Sequence, residues 1–173
     1  MIDCESLFKL NYGMYIVGSK KGGKLNGCLI NTVFQITPEP PMVAVSINKQ
    51  CLTHEYITDS RVFSVSILRQ ETPMPFIGKF GFRTGRDIDK LAGVNYKAGI
   101  TGSPIITDNA VSFVEAEVTD SVDVLSHTLF VAKIVACQII DDREPLTYAY
   151  YRDIKHGKTP KSAATYVETE KKK

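Results

Sequence analysis

Short apolar runs, each cut off by proline, glycine or a polar turn, recur along this chain. Helical stretches of about 10–15 residues do not alternate with them. Residues 32–37 read as one strand, ended by Pro38, Pro40 and Pro41. Residues 42–47 (MVAVSI) form a continuous apolar strand, and 62–68 (VFSVSIL) alternate with the period of a strand. Residues 14–19 precede these, with a turn at 20–24. Further strands fall near 105–107, 110–118 and 129–140, and a last short one at 145–151. Helix is confined to residues 3–11, to one or two turns at 54–60, and to short pieces in a long excursion over 71–90. This pattern excludes a doubly wound parallel sheet. It predicts an all-β chain with short helices, an antiparallel barrel or sandwich.

A chain of 173 residues is long enough for one domain with a sizeable core. Residues 1–154 read as that domain. Residues 155–173 lose apolar content and read as an extended C-terminal arm. Net charge is +2, with three positive charges in the terminal Lys171, Lys172 and Lys173, so nothing points to nucleic acid or to a membrane surface. No apolar run approaches the roughly 18–20 residues of a membrane span, and the N-terminus does not resemble a signal peptide. The expectation is a cytoplasmic protein. Cys4, Cys28, Cys51 and Cys137 are widely spaced and form no CxxC pair, so free thiols are expected and no metal site.

Two stretches carry candidate chemistry. From Asn26 through Thr32, small and polar residues lead into a strand; from Ser46 through Asn48, Lys49 and Thr53, a strand ends in polar residues before a helical turn. Together they suit a flat polar ring with an anionic tail, since a helix start offers free N–H groups to an anion. A polar turn and an ordinary helix cap explain them equally. Residues 80–86 (FGFRTGR) pack two aromatics, two glycines and two arginines into seven positions. They suit a cover over a ring with a phosphate contact, or an exposed basic loop. They match neither GxxxxGK[ST] nor GxGxxG. His127, at the mouth of a strand, is either a surface residue or a site residue. His54 and His156 are isolated, and no GxSxG elbow is present.

The order of motifs supplies more. Gly13-x-Tyr15-Ile16-Val17-x-Ser19 comes first, followed by Asn26-Gly27-x-x-x-Asn31-Thr32-Val33-Phe34-Gln35-Ile36-Thr37 and Val45-Ser46-Ile47-Asn48-Lys49-x-x-x-Thr53. Ser60-x-x-Phe63-Ser64-Val65-Ser66-Ile67-Leu68 and His127-Thr128-Leu129-Phe130-Val131-Ala132 complete the set. In this order they resemble the flavin reductase-like, FMN-binding split-barrel family over residues 5–166. Residues 80–90 and 157–166 look most like the flavin-reductase half of high-molecular-weight rubredoxins. The resemblance implies a six-stranded antiparallel Greek-key split barrel, a homodimer, and FMN bound near the dimer interface.

Carried over by position, the resemblance places Cys28, Leu29, Ile30, Asn31 and Thr32 at the isoalloxazine, and Asn26, at the head of the same polar stretch, is counted with them as cofactor-binding. Ser46, Ile47, Asn48, Lys49 and Thr53 serve ribityl and phosphate groups. Phe80, Gly81, Phe82 and Arg83 close over the cofactor, and His127 stands on the nicotinamide side as the one catalytic position. Many members have Thr-Ala-Asn where this chain has Leu29-Ile30-Asn31, so a hydroxyl at position 29 is missing unless Thr32 replaces it. Rubredoxin-linked relatives continue into an iron module with two CxxC-type pairs, absent here. The implied activity is an NAD(P)H-dependent FMN oxidoreductase. Its acceptor would be a separate rubredoxin, a flavodiiron protein or free flavin. The alternative is a flavoredoxin-type electron carrier with no direct NAD(P)H step.

Overall fold

The structure, a computed structural model, describes residues 4–167. A 3-10 helix, Cys4–Lys9, precedes the first hairpin, β1 (Tyr15–Lys21) and β2 (Lys24–Ile30). Gly22 and Gly23 turn it with φ of 52° and 79°. Two consecutive positive φ values match the twist of tight hairpins and strongly favour glycine there. Next come β3 (Val33–Pro38), β4 (Pro41–Asn48), α1 (Leu52–Ser60), β5 (Val62–Leu68) and α2 (Met74–Gly81). A small ribbon, β6 (Tyr96–Ala98) with β7 (Pro104–Ile106), leads into β8 (Ala110–Val124) and β9 (His127–Ile139). The last helix is α3 (Tyr148–Asp153).

Seven strands form one antiparallel sheet in the order β2-β1-β5-β8-β9-β4-β3. Its two edge strands, β2 and β3, are consecutive in the chain and separated only by Asn31 and Thr32. The sheet therefore curls until its ends approach at that corner, as in a split barrel. Register shifts at Glu115/Ala116 and Val118/Asp120 bend the long β8–β9 pair around the core. Val17, Val45, Ile47, Phe63, Val65, Ala116 and Phe130 fill the interior.

The serines of β5 account for its alternation. Phe63 and Val65 face the interior, while Ser64 and Ser66 lie fully buried on the other side. Ser64 donates to the carbonyl of Pro104 at 2.6 Å, and Ser66 Oγ accepts from Ile106 N–H at 3.0 Å. Strand β5 is thus covered on both faces, and the small ribbon is held by bonds that satisfy the buried hydroxyls.

The all-β reading holds, with local differences. Residues 26–32 are read as a polar lead-in, yet most of that stretch belongs to a full strand, β2 (Lys24–Ile30), which brings the main sheet to seven strands. Strands β8 and β9 extend past 118 and start before 129, because residues 119–124 pair as an exposed ribbon whose polar side chains hide the pattern. Residues 145–151, expected as a strand, keep only single bridges, Gly13 with Thr147 and Arg69 with Pro145, before turning helical. Thr147 decides this: its hydroxyl caps the helix by accepting from Tyr150 N–H at 3.1 Å.

The arm does not leave the molecule. His156 takes a left-handed φ of 53°, and Gly157 follows close against Tyr151. A Cβ on Gly157 would come within 2.1 Å of that ring, so only glycine lets the chain pass. Residues 158–167 then return over the corner between β2 and β4. Residues 168–173, the rest of the expected arm, lie outside the described residues. Among the described residues, no helix is long and apolar enough to cross a membrane.

Candidate functional site

At the corner where the barrel splits lies a cavity of about 290 Å³. Its walls include β2, the end of β4 with the start of α1, the end of α2 with the loop after it, the start of β9, α3 and the returning arm. As an edge strand of the sheet, β2 bonds β1 on one side only. Half of its backbone N–H and C=O groups therefore face away from the sheet, available to a ligand.

Strand periodicity sorts the residues of β4. Side chains of a strand point alternately to opposite faces. Ser46 and Asn48 reach the cavity, while Ile47 between them is fully buried in the core. Lys49 also stays outside, its ammonium 2.5 Å from Asp123 Oδ2. Of the positions implied by resemblance, then, Asn26, Cys28, Leu29, Ile30, Asn31, Thr32, Ser46, Asn48, Thr53, Phe80, Gly81, Phe82, Arg83 and His127 line one cavity. Ile47 and Lys49 do not.

Several of these side chains are already engaged. Asn26 is buried and donates to Thr53 Oγ1 at 2.9 Å, tying β2 to the first turn of α1. Gly85 is pressed against the same amide, since a Cβ there would sit 2.1 Å from Asn26 Oδ1. Thr32 donates to the carbonyl of Ser46 at 3.0 Å. Asn31 and Asn48 turn to the arm: Asn31 Nδ2 donates to Thr165 Oγ1 at 2.6 Å, and Asn48 Nδ2 to the carbonyl of Ser162 at 3.1 Å.

His127 opens β9 opposite Asn48, with Ser126 Oγ 2.9 Å from its Nδ1. Burial lowers its pKa, against an opposing pull from the backbone of Ser162. Burial thereby favours the neutral ring. On its outer side a shallow hollow continues over Phe34, Leu129 and Tyr166. His54 has a different place, against Phe130 and 2.8 Å from Thr128 Oγ1.

Model sequences of the flavin reductase like domain match residues 7–156. The chain belongs to this family. It is 46% identical, over 96% of its length and 72% of the relative's, to a high molecular weight rubredoxin of Moorella thermoacetica. It is also 46% identical, over 97% of its length and 99% of the relative's, to a ferric-chelate reductase (NAD(P)H) of Archaeoglobus fulgidus. The FMN-binding protein of Thermus thermophilus superposes with a TM-score of 0.73 at 25% identity, covering 81% of this chain and 82% of that one.

For a flavin reductase, the donor set fits the cofactor. A flavin presents a polar pyrimidine edge, an apolar face and an anionic tail. The free backbone edge of β2 and the hydroxyls of Thr32 and Ser46 meet the first requirement, and Leu29 and Phe80 the second. For the third, Arg83 and Lys158 reach the cavity, and their cationic groups have no partner among the described residues.

Sequence reading of this flavin reductase missed Lys90, Cys51, Tyr148, Tyr151 and the arm residues Lys158, Thr159 and Ser162, all of which line the cavity. Lys90 is only 4% exposed and donates to the carbonyl of Phe80 at 2.9 Å. Burial lowers its pKa, and the Cys28 and Cys51 thiols pull it back up. A lone Lys after an acidic loop carries no sequence signal of burial. The arm did carry one, its match to the family in residues 157–166, but nothing showed that it folds back on its own chain.

Proposed function

We propose that this flavin reductase holds FMN in the cavity, takes electrons from NAD(P)H, and delivers them to a separate acceptor. Bound FMN supplies the redox chemistry, accepting hydride and releasing electrons onward. The protein supplies the rest. The outward N–H and C=O groups of β2 at Leu29 to Asn31, with Thr32 and Ser46, hold the ring's polar edge. Arg83 and Lys158 neutralise the phosphate, Arg through its planar fork and Lys as a point charge. Phe80 and the arm exclude water. His127, neutral, orients the nicotinamide as a hydrogen-bond partner and transfers no proton.

The observation that carries this reading is the convergence on one cavity of two cations with no partner among the described residues, a free strand edge and a histidine. FMN suits the site better than FAD because the phosphate donors are concentrated in one place and no adenosine site is legible. The acceptor is a rubredoxin, a flavodiiron protein or free flavin, and the compartment is the cytoplasm, where thiols stay reduced. The chain works as a homodimer. Phe34 and Ile36 on β3, with Val122, Val124 and Leu125 at the tip of the β8–β9 ribbon, are exposed large hydrophobics suited to a second copy.

Mass spectrometry of heat-released ligand tests the cofactor: FMN is expected, and FAD as the sole released flavin would contradict it. Sedimentation tests assembly, where a species of 19.2 kDa at micromolar concentration would rule out the dimer.

A further inference from the structure

Two thiols from separate elements line the same cavity. Cys28 sits in β2 and is 4% exposed. Cys51 is the cap residue of α1 and packs against the core cluster that contains Cys28. Both line the cavity, and both are free thiols. We propose that Cys28 and Cys51 are a redox-active dithiol, with Cys51 the attacking and Cys28 the resolving thiol, that closes to a disulfide on meeting a low-molecular-weight disulfide.

Three features of the surroundings favour these roles. Cys51 is the N-cap residue of a nine-residue helix, whose dipole favours negative charge at that end. Its neighbour Cys28 donates to that thiolate, and this, with the ammonium of Lys90 and against the effect of burial, lowers the Cys51 pKa to about 7. Cys28 goes the other way: its bond to Cys51 and its burial hold it well above the ordinary range, so it keeps its proton until attack. Cys51 also has the greater access, being half-buried where Cys28 is buried.

The chemistry closes on itself. The Cys51 thiolate attacks one sulfur of the small disulfide, whose S–S bond breaks and expels one thiolate. Cys28 then attacks the Cys51 sulfur of the mixed disulfide, its proton leaving with the second thiol. Two electrons pass from the protein pair to the reagent, which ends as two thiols. An excess of a dithiol reverses the reaction. No step needs the flavin, so the proposal stands apart from the reading above and is tested on flavin-free protein.

Oxidised glutathione is the probe, and peptide mass mapping without reduction is the readout. Wild-type protein is expected to yield a Cys28–Cys51 cross-link with no glutathione retained on either residue. Cys28→Ser is expected to stop at a stable glutathione adduct on Cys51, and Cys51→Ser to leave Cys28 unmodified. Circular dichroism of each variant checks the fold, and the wild-type map decides even where a variant fails. The exposed Cys137 serves as an internal control. Glutathione retained on wild-type Cys51 without a cross-link would overturn the proposal, as would modification of Cys137 while Cys28 and Cys51 stay free.

Discussion

Asn31, just past the end of β2, donates its side-chain amide to Thr165 at 2.6 Å, a bond across 134 positions of the chain. The arm is thereby part of the cavity wall. Tyr148 and Tyr151 support it from beneath through their hydroxyls, Tyr151 donating to the carbonyl of Lys158 at 2.7 Å and Tyr148 bonding Thr159. A chain ending at His156 should keep its β-sheet yet bind FMN more weakly by tenfold or more, about 1.4 kcal/mol per tenfold. Fluorescence titration with FMN measures this. Full-length affinity in the shortened chain would remove the arm from the site.

Arg83 and Lys49 separate two accounts of the phosphate. By resemblance Lys49 serves it; in the structure Lys49 is turned to Asp123, and Arg83, like Lys158, lines the cavity with no partner among the described residues. Arg83→Ala should weaken FMN binding by roughly 1.5–3 kcal/mol, the range for a hydrogen bond to a charged group. Lys49→Ala should leave affinity unchanged. The reverse order of effects would return Lys49 to the site.

What the sequence concealed follows from the same geometry. The strands with strong apolar runs, β4 and β5, were legible because burial on one or both faces imposes a period that polar residues cannot imitate. Strand β2 was not, since its polar Asn26 serves a cavity rather than the core. Ile47 stands apart from the cavity for the complementary reason: a motif written as consecutive residues ignores the alternation that turns Ile47 away from its neighbours. Lys90 and the arm line the cavity as well, and both arrive by tertiary contact alone, which no local pattern encodes.

Two histidines make stability depend on pH in one direction. Burial lowers the pKa of both His54 and His127, aided at His54 by the charges of Lys49 and His127. A base whose pKa is depressed on folding binds fewer protons in the native state than in the unfolded one. Its contribution is thus intact above the unfolded value near 6.5 and falls away as pH drops through it toward the folded value. Thermal melting should show a Tm that declines below about pH 6.5. His54→Gln should flatten that decline; an unchanged slope would place its origin elsewhere.

Cys51 offers a second pH profile. With its pKa at about 7, half of its thiolate is present at neutral pH. An ordinary thiol near 8.5 holds only about 3% there. Alkylation of Cys51 by iodoacetamide should therefore rise through pH 7. A midpoint at the ordinary thiol value of about 8.5 would contradict the thiolate assigned to Cys51.

The central claim is that this cavity passes electrons from a nicotinamide to a flavin, and anaerobic rapid mixing tests it most directly. Flavin-loaded protein is mixed with NADH and, separately, with NADPH, and the flavin absorbance is followed. The account predicts bleaching with at least one of them, and a slower rate in His127→Ala with FMN still bound, tenfold slower for each 1.4 kcal/mol of lost stabilisation. Flavin that binds tightly but stays oxidised under both nucleotides, while accepting electrons from another donor, would contradict it and leave an electron carrier of the flavoredoxin type.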